Sequence, residues 1–107
     1  MFEILTKYSS PSVTFKVSSF IDDWEEFSFL HEEYGLWNYR ALLSTAGIDT
    51  RYESLLTFDF SSFPSAVLLA VIQKLVRAER DGKGELGRAY SDGLLDGILM
   101  SLGRKEA

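Results

Sequence analysis

The chain has 107 residues, a net charge of −5, 46% hydrophobic and 14% aromatic residues, and no cysteine. That composition is too apolar for a disordered chain, and the lack of cysteine excludes disulfides and thiolate-held metals. No apolar run approaches the roughly 20 residues that a helix needs to cross a bilayer, and the length predicts one compact domain over 1–107. The opening MFEILTKYSS has no cationic segment leading into a long apolar stretch, so no secretory signal is expected and cytoplasm is the default location.

Charge is unevenly placed. Residues 1–63 sum to −6 and residues 64–107 to +1. An acidic first half argues against direct binding of nucleic acid, whose affinity comes largely from Lys and Arg on phosphates, and favours a basic protein as partner.

Phe2 to Tyr8 and Val13 to Val17 flank Ser9-Ser10-Pro11-Ser12 and predict a β-hairpin. The second arm is the better marked, alternating Val13, Phe15 and Val17 with polar residues; a short helix is the alternative for Phe2 to Tyr8. Ser19 with Asp22 resembles a capping box, and Phe20, Trp24, Phe27, His31 and Tyr34 then recur at helical spacing, predicting a helix from Phe20 to Tyr34 closed by Gly35. Its other face holds Asp22, Asp23, Glu25, Glu26, Glu32 and Glu33 without an intervening cation, and Phe29 falls among them. Such a face is either merely solvated or a docking surface for a cationic partner with Phe29 as its apolar anchor. Asn38 predicts the start of a shorter helix, Tyr39 to Ala46, ending at Gly47, and Ser54 to Phe60 alternates like a third strand.

Phe63 to Arg80 is the predicted central helix. Its apolar run from Ala66 to Ile72 requires burial on nearly every side; Pro64 marks its start and Gly82 its left-handed stop. Beyond Gly82, Leu86, Ala89 and Tyr90, then Leu94, Leu95, Ile98, Leu99 and Leu102, predict two short helices broken at Asp92-Gly93. Gly87 and Gly97 inside them suggest close backbone approach to a neighbour. The predicted fold is therefore α+β and predominantly helical: a buried central helix packed by about four shorter helices and a small antiparallel sheet.

Gly82-Lys83-Gly84-Glu85-Leu86-Gly87 matches G-x-G-x-x-G, but it follows a helix and nearly ends the chain, so it lacks the strand and the downstream acid of a dinucleotide site. His31 stands alone on an apolar helix face and reads as a packed ring. No catalytic, cofactor-binding or metal-binding set emerges, and a non-enzymatic protein without cofactors is expected.

The cluster Arg77-Ala78-Glu79-Arg80 is either helix-end pairing with Glu85, Asp92 or Asp96, or an arginine fork for an anion beside the glycine-rich turn. With Gly84, Asp92 and Gly93, the residues Arg77, Glu79 and Arg80 make a string that resembles a small uncharacterised domain family of bacteria and archaea. In that family an R-x-E-R helix end precedes a glycine, a D-G step and a last leucine-rich helix. The resemblance covers about the last 45 residues, with Asp81 where an aromatic residue would stand. It implies no mechanism, only a bacterial, archaeal or phage setting.

The leading expectation is a small acidic protein-binding module that inhibits a basic, nucleic-acid-handling protein through Asp22, Asp23, Glu25, Glu26, Phe29, Glu32 and Glu33. Phage-encoded inhibitors of host defence, anti-CRISPR proteins among them, offer an analogy of size and charge. Two alternatives stay open: a small enzyme or anion-binding domain using Arg77, Arg80 and nearby carboxylates, and a structural homodimer through exposed Phe29 or Trp37.

Overall fold

The computed structural model describes residues 3–8 and 14–106. Every regular element among them is helical: α1 (Glu3–Tyr8), α2 (Val17–Leu30), α3 (Tyr39–Thr45), α4 (Tyr52–Leu55), α5 (Ser65–Arg80), α6 (Glu85–Ser91) and α7 (Leu94–Glu106). Short 3-10 turns at Glu32–Tyr34, Leu36–Asn38 and Phe60–Ser62 join them.

The hub is α5. Leu68, Leu69, Ala70, Val71 and Ile72 are fully enclosed, and Val67, Leu75, Val76 and Ala78 are buried beside them. Such enclosure requires neighbours on all sides, and α3, α6 and α7 pack directly on α5. Pro64 precedes the helix in an extended conformation, and its carbonyl accepts the first bonds, from Val67 and Leu68 N–H. At the other end Gly82 adopts φ 84°, which only glycine takes without strain. Its N–H donates to Glu79 O and that of Lys83 to Ala78 O, so the last carbonyls of the buried helix are satisfied as the chain reverses into α6.

The predicted antiparallel sheet is absent: the described residues contain no strand, and the fold is all-helical rather than α+β. The first arm is α1, with Ile4 and Leu5 buried and one turn apart from Tyr8, as helical spacing demands. Of the second arm, Ser9 to Val13 lies outside the described residues, Thr14 to Lys16 is irregular, and Val17 already opens α2. Phe15 is held by aromatic contact instead of a ladder, stacked on Tyr90 with centroids 4.0 Å apart. The third strand resolves into α4, whose Tyr52 and Leu55 are buried at i and i+3, followed by a turn. There Asp59 accepts Ser61 N–H at 3.1 Å, a local bond that competes with a strand. The alternating Phe58 and Phe60, with Phe63, form a ring cluster in that turn.

Two boundary expectations also change. The second helix begins at Val17 rather than at a Ser19 cap, and its regular part stops at Leu30. Gly87 does lie close to a neighbour, since a Cβ there would stand 3.5 Å from Val17, but Gly97 has open space and no packing reason.

Candidate functional site

Helix α2 has two contrasting faces. Phe20, Trp24 and Phe27 point inward, and with His31 they make a run of stacked rings along the core, the last pair 4.5 Å between centroids. The indole N–H of Trp24 donates to Gln73 Oε1 at 2.6 Å, which ties α2 to α5 and fixes how α2 is rotated. His31 is thus a packed ring, with Nδ1 3.2 Å from Glu33 Oε1.

With that rotation set, Asp22, Glu25, Glu26 and Phe29 follow at i, i+3, i+4 and i+7 along the opposite face. Phe29 is 76% exposed, Leu30 64%, and Trp37 on the following 3-10 turn 84%, an unusual concentration of bare apolar surface within residues 29–37. Leu30 is not marked by helical periodicity, which carries the inward stripe on through His31 to Tyr34 and gives no sign that the regular helix stops at residue 30.

The six carboxylates do not behave alike. Asp23 turns toward α1, where its Oδ2 accepts from Lys7 Nζ at 2.7 Å and from the Tyr8 hydroxyl. Lys7, then Tyr8, hold the Asp23 carboxyl below its ordinary range, and burial with the adjacent Asp23 pushes the Tyr8 phenol well up. Glu25 Oε1 pairs with Arg80 at 2.8 Å. Glu33 is held low chiefly by a backbone N–H, its own, and then by His31. Asp22, Glu26 and Glu32 are exposed and have no ion pair among the described residues. The predicted partner-binding set is therefore divided: Asp23 is a structural clamp, whereas Asp22, Glu26 and Glu32 remain uncommitted beside Phe29 and Leu30.

The Arg77, Glu79 and Arg80 cluster also splits three ways. Glu79 Oε1 accepts the Gly87 N–H at 2.9 Å and braces α5 against α6. Arg80 reaches back to Glu25, not forward to the C-terminal carboxylates as its spacing suggests. Two of those are occupied otherwise: Glu85 pairs with Lys74, and Asp92 receives the Tyr52 hydroxyl at 2.8 Å with Arg88 at 3.7 Å, while Asp96 is exposed with no ion pair among the described residues. Arg77 lies 3.9 Å from Asp81 and lines a cleft of about 450 Å³ between α3, the 48–50 segment, α5 and the turn before α6. Arg40, Lys74 and Lys83 line it too. Helix periodicity could not reveal that grouping, because the four cations come from three segments. Arg77 and Arg80 do not converge, so the predicted fork between them does not form.

Gly82 to Gly87 is the turn between α5 and α6, with no strand before it. Among the described residues no group of His, Asp and Glu could hold a metal ion, and no helix is long and apolar enough to cross a membrane. Comparison with protein-family models, with curated proteins and with solved structures finds no match.

Proposed function

We propose that the chain is a non-enzymatic protein-binding module that takes a basic protein on the outer face of α2 and the turns after it. The partner would lay apolar side chains on Phe29, Leu30 and Trp37 while its Lys and Arg meet Asp22, Glu26 and Glu32. The observation that carries this reading is bare aromatic surface bordered by carboxylates that no cation of the described residues neutralises. An apolar anchor supplies most of the affinity, and a rim of one charge sign steers the approach. Occupying cationic surface in this way would block a partner's phosphate contacts, so inhibition of a nucleic-acid-handling protein is the mode we propose.

The charge pattern disfavours self-association through the same patch. A two-fold contact there would set each copy's Asp22, Glu26 and Glu32 against like charges.

Affinity capture from the cell that makes the protein tests the proposal, using wild type and a Phe29→Ser/Trp37→Ser variant as baits. Both side chains are exposed, so the variant should fold. The expected result is a basic protein retained by wild type, released by salt, and lost with the variant. Equal recovery on both baits, or a dimer of this chain that the variant abolishes, would overturn it.

A further inference from the structure

The cleft beside Arg77 is positive in an otherwise acidic chain. Arg40, Lys74, Arg77 and Lys83 line it against two carboxylates, Asp81 and Glu85. These cations are not equally available. Lys74 and Glu85 pair with each other with side chains only 17% exposed, and so form a fixed, neutral part of the wall. Arg77 is held loosely by Asp81 at 3.9 Å, both side chains being more than half exposed. Arg40 lies over the Tyr39 ring, 5.8 Å from its centroid, and neither it nor Lys83 has a carboxylate partner among the described residues.

We infer that this cleft binds a small organic phosphate monoester, its phosphate held by Arg40, Arg77 and Lys83 and its organic body lodged against Tyr39 and Ile48. Charge comes first. The lining carries a surplus of two positive charges, which matches a phosphate dianion. Guanidinium forks suit phosphate oxygens because they donate two parallel N–H bonds, and here one fork comes from α3 and another from α5. Size comes second. About 450 Å³ is within the ~300–1,000 Å³ of small-molecule sites and much more than a bare inorganic anion fills. Wall chemistry comes third, because the Tyr39 ring and the buried Ile48 and Ala78 offer apolar contact that inorganic phosphate cannot use. The site is separate from the acidic face of α2, and Arg80, committed to Glu25, takes no part.

Isothermal titration calorimetry at low ionic strength tests this with four probes: ribose 5-phosphate, glycerol 3-phosphate, adenosine monophosphate and inorganic phosphate. At least one organic monoester should bind about tenfold or more tighter than inorganic phosphate. Arg40→Gln/Arg77→Gln should weaken that binding by about tenfold or more, as expected for removing charge-assisted bonds, and Arg104→Gln, outside the cleft, should leave it unchanged. Circular dichroism checks that the double variant folds; if it does not, Lys83→Gln takes its place with the same expected loss. The inference is overturned if none of the three monoesters binds, if none exceeds inorganic phosphate, or if the cleft variants bind as well as wild type.

Discussion

Asp23→Asn is the substitution that best separates a carboxylate with a structural duty from one that is merely solvated. In the native chain Asp23 accepts from Lys7 at 2.7 Å and from the Tyr8 hydroxyl, joining α1 to α2. A hydrogen bond to a charged group contributes about 1.5–3 kcal/mol, and an exposed ion pair such as that with Lys7 about 0–1 kcal/mol. Asn keeps an acceptor for Tyr8 but loses the charge, so the loss should be about 1–2 kcal/mol. With a urea slope of about 1.5 kcal/mol per molar, that moves the midpoint down by about 1 M. The pH dependence has a definite sign. The Asp23 carboxyl is held below its unfolded value, so its stabilisation is present above about pH 4 and is lost as pH falls through the lower folded value. Wild type and Asp23→Asn should therefore converge in urea unfolding as acid is added. If Asp23 were just one more repelling charge on an acidic helix, Asn would stabilise the fold instead. A neutral or stabilising effect at pH 7, or a difference that persists undiminished in acid, would refute the clamp.

Ile72 is fully enclosed at the centre of α5, and Ile72→Ala should cost about 2–5 kcal/mol in urea unfolding; a loss below about 1 kcal/mol would mean that α5 is not the hub. The Tyr52 hydroxyl donates to Asp92 at 2.8 Å, and burial, then Asp92, push its pKa up to about 12. The neutral phenol is thus favoured in the fold, and its contribution is present below the unfolded value of about 10 and lost as pH rises from there through about 12. Tyr52→Phe should lose about 1–2 kcal/mol at neutral pH and flatten that part of the alkaline decline; an unaltered alkaline limb would refute the assignment.

What could be read in the sequence was what a single helix decides for itself. The enclosure of α5 follows from Ala66 to Ile72 being apolar, and its ends from Pro64 and Gly82. The inward rings of α2 follow from helical spacing, and the break at Asp92-Gly93 from turn chemistry. The sheet was misread because Val13 to Val17 and Ser54 to Phe60 are too short for a period of two to exclude other conformations. Phe58 and Phe60 alternate because both feed a ring cluster in a turn, not because a strand turns them to one side. Within the candidate site, the acidic face of α2 was visible as a local pattern. The commitments of Asp23 to Lys7 and Glu25 to Arg80 span chain separations that no helix period encodes, and the same holds for the cations gathered in the cleft.

The most direct test of the docking surface is the association rate with the captured basic partner, followed by surface plasmon resonance as salt is varied. Asp22→Asn/Glu26→Gln/Glu32→Gln removes three exposed charges while sparing the clamp at Asp23 and the pair at Glu25, so the fold should be unaffected. Association of the triple variant should slow by about tenfold or more at low ionic strength and depend less steeply on salt, whereas Phe29→Ala should chiefly speed dissociation. Unaltered association of the triple variant at low salt would contradict the docking surface, leaving the outer face of α2 as solvated surface.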